Sequence, residues 1–334
     1  MENKTKNKLI LFAENTLAIK KEFKWHDDFA KRLSALLYAQ ENRAINCNAI
    51  TQCHALIKQN TGIFSIFRGN MVLCIATLLS LSDDQQGLFD KTQDVYKMLK
   101  DTKFHTSDYL AVAAFQIASQ AHSTNLANVV SRTRKFYDSM KAQRRFHTGE
   151  DDYILAAMLG LSDIDITLGT DRIEQIYSRL KSKLRDKNSI QMLSQVLVLG
   201  GSCDDTVSRV LTLRDAFRAQ KIKLDNFYTL PILGILALLP VEIETIVNET
   251  AEAQQILREQ KGFGSWSASM QERLLYAMAI VAAEHTKDTN NAIVTATLAT
   301  SITNIIIAQQ VAIMVAASSA STAAAAAAAS SASS

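Results

Sequence analysis

Two histidine-bearing motifs precede apolar stretches at matching places in the chain. They are Phe104-His105-Thr106-Ser107-Asp108-Tyr109 and Phe146-His147-Thr148-Gly149-Glu150-Asp151-Asp152-Tyr153. Imidazole nitrogens and carboxylate oxygens together suit a transition metal, which makes His105, Asp108, His147, Glu150 and Asp152 the candidate ligands. A plainer chemistry is local. Thr or Ser caps the helix that follows, acids favour its positive N-terminal end, and Phe serves as a hydrophobic staple. Neighbouring helical repeats stand about 10 Å apart, too far to share one ion, so capping is preferred and no cofactor is expected.

A basic run, Arg132–Arg145, reads RTRKFYDSMKAQRR and places Arg132, Arg134, Arg144 and Arg145 away from its apolar face. Arg209, Arg214 and Arg218 repeat the theme further on. Aligned, these form a positive stripe that attracts an acidic protein, an anionic ligand, a nucleic acid or anionic lipid. The preferred reading is the plainer one, a solvated helix face. Without an aromatic stacking platform the run argues against nucleic acid. Asp83-Asp84, Asp163 with Asp165, and Asp204-Asp205 read as helix caps rather than a cation site. No nucleophile elbow, zinc-protease motif, EF-hand loop or phosphate-binding glycine loop is present.

The elements that must position these residues follow from a recurring apolar stretch. Its clearest copy is Tyr153–Ile164, YILAAMLGLSDI, and similar stretches begin at Met71, Tyr109, Ile190, Leu230 and Glu272. The spacing of roughly 40 residues is typical of two-helix repeats. With only 2 Pro and 11 Gly in 334 residues, and no strand signals, the class is all-α. The expected architecture is two-helix repeats stacked as an α-solenoid, a HEAT/armadillo-like superhelix. In each repeat the first helix is apolar nearly all round and the second is amphipathic. Asp171 with Glu174 reads as a capping box starting one such second helix.

Four parts are expected: opening helices in 1–60, a repeat body in 61–288, an apolar helix or helices in 289–317, and an Ala/Ser-rich tail in 318–334. Within 291–317, the stretch Ile293–Ala317 is long enough to span a bilayer. Asn304, Gln309 and Gln310 near its middle and the lack of a basic residue after it favour packing on the last repeat, with membrane contact as the alternative.

The phrases FSIFRGN, SDYLAVAAFQIA, TGEDDYILAAMLGLSDID, LSQVLVLGG, ALLPVEIE, KGFGSWS and NIIIAQQVAIM carry a resemblance. They are similar to a Firmicutes family catalogued as a domain of unknown function, number four thousand and three. The resemblance implies a bacterial, cytoplasmic protein and brings no activity or catalytic residue. A net charge of +3 and 4 cysteines without a C-x-x-C pair fit a reduced, cytosolic chain, and the N-terminal apolar run is too short for a signal peptide. The functional reading is a non-enzymatic binding or scaffold module with a protein partner. One alternative is an enzyme with its site near Phe146–Tyr153; another is a membrane-associated protein held by the C-terminal apolar helix, peripheral to the bilayer.

Overall fold

A computed structural model describes residues 1–201, 205–224, 226–287 and 303–317. Cys203, Asp204, the segment 288–302 and the Ala/Ser-rich tail lie outside the described residues. Among the described residues there are 15 α-helices and no strand.

The first fourteen pack as consecutive antiparallel partners. They are α1 (Asn3–Glu22) on α2 (Asp28–Gln40), α3 (Cys47–Gln59) on α4 (Val72–Ser80), and α5 (Gln85–Asp101) on α6 (Asp108–Gln120). Then come α7 (Leu126–Gln143) on α8 (Tyr153–Leu161), α9 (Ile166–Leu180) on α10 (Lys187–Leu199), α11 (Asp205–Ala219) on α12 (Asn226–Leu238), and α13 (Ile243–Glu259) on α14 (Met270–Lys287). The even-numbered helices are rich in Leu, Ile, Val and Ala and are buried on nearly every side. The odd-numbered ones keep one apolar stripe inward, such as Ile173, Ile176, Tyr177 and Leu180 on α9, and a polar face in water.

The packing order returns to its start. α1 lies against both α13 and α14, and α14 reaches α2. Arg32 of α2 pairs with Glu272 of α14 at 2.6 Å, and Lys8 of α1 pairs with Glu284 of α14. Inside this circuit runs α15, residues 303–317. Its Ile305, Ile306, Ile307, Val311 and Ile313 are at most 2 % exposed. Its polar groups find partners on three even-numbered helices. Thr303 donates to Gln40 of α2 at 3.2 Å, Gln310 accepts from Tyr276 of α14 at 3.2 Å, and Gln309 donates to the Phe227 carbonyl of α12. No helix among the described residues is long and apolar enough to cross a membrane.

Direct contacts place the connections from odd- to even-numbered helices along one rim. Asn70 donates to Asp108 at 3.1 Å, and the His105 N–H donates to the Tyr153 hydroxyl at 3.4 Å. Gln271 donates to the Lys223 carbonyl at 2.8 Å, and Arg32 donates to the Ser267 carbonyl. The opposite rim carries the return connections.

Caps set several helix starts. Asp27, Asn46, Asp84, Ser107, Asp165 and Asp186 each accept a backbone N–H in the first turn. The capping box expected at Asp171 is corrected: α9 begins at Ile166 under Asp165, an earlier acid that does the same work. Asp171 lies inside the helix and accepts from Gln143, while Glu174 holds Arg144.

Candidate functional site

The two histidine motifs fold differently. At α6, Ser107 caps the helix and Phe104 is buried against Tyr137 and Tyr153. At α8, Gly149 leads into a 3-10 turn, Glu150–Asp152, whose last carboxylate accepts the Gly149 N–H at 3.0 Å. Phe146 is 93 % exposed, so the staple expected there does not form.

The 3-10 turn forms one wall of a cavity of about 300 Å³ at the N-terminal ends of the even-numbered helices. Tyr109 of α6 and Asn188, Ser189 and Met192 of α10 add further walls. α15 closes it with Gln309, Ala312 and Val315.

Asp152 is the buried charge of this site, at 5 % exposure. Its Oδ1 accepts from Gln191 at 2.9 Å and from Gln195 at 2.6 Å, while Oδ2 takes the Gly149 N–H. Gln191 and Gln195 are one turn apart on α10, and each has a second contact, to Thr148 Oγ1 and to Met140 Sδ at 3.2 Å. Burial, reinforced by the neighbouring Asp151 carboxylate, pushes the Asp152 pKa up to about 7 against the pull of its three hydrogen bonds. Burial, with Glu150 adding to it, also raises Asp151. The Tyr109 hydroxyl is held above its usual range, by burial first and then by these carboxylates. Gln309 is 1 % exposed; its Nε2 is engaged, and its Oε1 is buried without a partner. The polar wall is therefore rich in acceptors.

Of the residues singled out in the sequence, His147, Glu150 and Asp152 meet at this cavity. His105 and Asp108 do not line it. His105 is exposed, and Asp108 faces Asn70 with one carboxylate oxygen buried and unanswered. Among the described residues no three His, Cys, Asp or Glu side chains converge as a metal site.

The arginines are mostly engaged in the fold. Arg132 donates to the carbonyls of Gly160, Ser162 and Ile164 at 3.1, 2.8 and 2.6 Å, closing the C-terminal end of α8. Arg209 donates to Ala237, Leu239 and Val241 at the end of α12. Arg144 clasps Glu174 with two bonds of 2.6 and 2.7 Å and stacks on Tyr177. Arg134 pairs with Asp138 at 2.6 Å and covers Phe104. Arg145 is exposed. Arg214 and Arg218 share Asp215 and reach a separate recess.

Gln191, Gln195 and Gln309 escaped the sequence reading as site residues. A signal was present for the first two. They are amides at i and i+4 on one face of a stretch that is otherwise apolar, where an unpaired amide is costly.

The family profile described as Protein of unknown function (DUF4003) matches residues 15–311. No curated protein and no solved structure matches the chain.

Proposed function

The chain belongs to the DUF4003 family, and within it we propose a small-ligand binding module whose ligand enters the cavity beside Asp152. The observation that carries this reading is the run of carboxylates Glu150, Asp151 and Asp152 along one wall of the cavity, with no Lys or Arg among the lining residues described. The ligand class that complements a wall of carboxylates is a small primary ammonium compound. A cavity of this size lies at the lower end of those that hold small molecules.

In this reading the helix pairs are repeats of one α-solenoid unit, and α15 occupies the inner surface that an extended partner would otherwise use. The unpaired thiols Cys47, Cys53 and Cys74 fit a bacterial cytoplasm.

Thermal unfolding with a panel of primary amines, putrescine and ethanolamine among them, and with glycerol as a neutral control tests the proposal. The expected result is a rise in Tm with an amine, reaching about 2.7 kcal/mol of stabilisation at a hundredfold excess over Kd. That rise should vanish in the double variant Glu150→Gln/Asp151→Asn. A flat response to every amine, or an undiminished one in the variant, sinks it.

One observation favours a catalytic second reading. A carboxyl that titrates near 7 can give or take a proton at neutral pH. Turnover of a metabolite extract that Asp152→Asn abolishes is the result that would establish it.

A further inference from the structure

The rim that carries the odd-to-even connections differs from the opposite rim in both charge and polarity. Seven large hydrophobic side chains are exposed among the described residues. All but Leu168 lie on this rim: Trp25, Ile63, Phe64, Phe146, Trp266 and Met270. They come from four separate connections and the first residue of α14, so no local run of sequence explains their gathering. Basic residues accompany them. Lys24 precedes Trp25, Arg145 precedes Phe146, and Lys261 stands in the connection that bears Trp266. Between α9–α10 and α11–α12 the same rim holds a recess of about 510 Å³. Its charged walls among the described residues are Lys183, Arg185, Arg214, Arg218, Lys221 and Lys223, with Asp215 paired to Arg214 and Arg218 behind them.

Acids occur on this rim too: Asp27 and Asp186 cap α2 and α10, and Glu22, Asp101 and Glu259 are exposed at the ends of α1, α5 and α13. Glu150 remains exposed at the mouth of the cavity. The opposite rim is richer in acid: Glu41, Asp83, Asp84, Asp163, Asp165 and Glu242 are exposed there, Asp84 and Asp165 as helix caps, against an exposed Arg43. A net charge of +3 conceals this two-faced distribution.

We propose that the basic, aromatic rim docks on the surface of an anionic lipid bilayer. Exposed Trp and Phe suit the headgroup level, where an amphipathic or apolar ring leaves water without entering the hydrocarbon core. Basic side chains near an anionic surface each contribute about 1 kcal/mol, and the acidic rim orients the molecule by turning away. Scattered aromatics on four connections favour a flat, fluid partner over a protein partner with one complementary pocket. The docking is peripheral and uses no spanning helix.

The chain has 2 tryptophans, Trp25 and Trp266, and they are 98 % and 104 % exposed on this rim. Their emission therefore reports the docking directly. Full-length protein is titrated with vesicles of phosphatidylglycerol or of phosphatidylcholine. The expected result is a blue shift with phosphatidylglycerol alone, weakened by salt as the charges are screened. Phe64→Ser with Phe146→Ser should weaken binding while leaving the far-ultraviolet spectrum unchanged, since both positions are exposed. Lys183→Glu and Arg185→Glu should each lower the partition coefficient at least about fivefold. No shift with phosphatidylglycerol overturns the proposal. So does an equal shift with phosphatidylcholine, or an equal response to inorganic phosphate or a single-stranded oligonucleotide.

Discussion

Arg32 and Glu272 meet at 2.6 Å across the junction between the first and last helix pairs, 240 positions apart in sequence. Both are buried. Glu272 also closes a capping box with Ser269 at the start of α14, and Arg32 lies over the Phe263 ring. Removing one partner strands a charge away from water. Glu272→Gln should cost about 3–5 kcal/mol in denaturant unfolding, and the apolar double change Arg32→Met/Glu272→Leu should recover much of it. A single substitution that costs no more than a surface change would refute this account of the junction.

Arg132 and Arg209 make the same three bonds at offsets of 28, 30 and 32 residues. Each satisfies helix-terminal carbonyls that have no partner within the helix. Arg132→Ala and Arg209→Ala should each destabilise by about 1.5–3 kcal/mol, as hydrogen bonds from charged groups do. Arg145→Ala, at an exposed site, should stay within about 0.5 kcal/mol. Equal effects at all three positions would contradict the assignment.

The raised Asp152 pKa fixes a direction for the pH dependence. The protonated carboxyl is favoured in the fold relative to the unfolded chain, so this contribution is full below the ordinary carboxylate value of 3.8. It is lost as pH rises through about 7. Asp151→Asn removes the neighbouring charge and should move the upper end of that window downward. Unfolding free energies measured from acid to neutral pH check this; a window unmoved by Asp151→Asn would show that the two carboxylates do not interact.

α15 is a core element by its burial. Ile306→Ala, at a site only 1 % exposed, should cost about 2–5 kcal/mol. Ala317→Ser, at the exposed end of the same helix, should be close to neutral. Chemical denaturation of both variants compares them directly, and similar stabilities would mean that α15 is not packed inside the circuit.

The thiols rank by environment. Burial pushes Cys53 up to about 11 and Cys74 up to about 12, whereas Cys47 is only half-buried. Since the thiolate is the reacting form, Cys47 should label first with iodoacetamide among these three. Peptide mass spectrometry reads the order, and earlier modification of Cys74 would reverse the expectation.

The helical class and the buried stretches were legible because their signal is local. Tyr153–Leu161 is apolar on every side, and such a helix has no face to give to water. The caps at Asp84 and Asp165 were legible for the same reason. Part of the site was legible too, since His147, Glu150 and Asp152 are neighbours in sequence. What the sequence withheld depends on residues far apart. Gln309 reaches the cavity only because α15 runs inside the circuit, and Arg32 meets Glu272 only because the last pair returns to the first. Arg132 and Arg144 looked like a free basic face because their acceptors, backbone carbonyls and Glu174, lie about thirty residues on.

A circuit with its own helix through the middle also has a kinetic signature. Thr303 meets Gln40 across 263 positions, and Gln309 meets Phe227 across 82. Such contacts raise the contact order far above that of an array in which each hairpin touches only the next. The entropy of closing these long loops is lost before their contacts form. Individual helix pairs can therefore assemble quickly, whereas the arrival of α15 and the meeting of the two ends belong to the slow, late part of refolding.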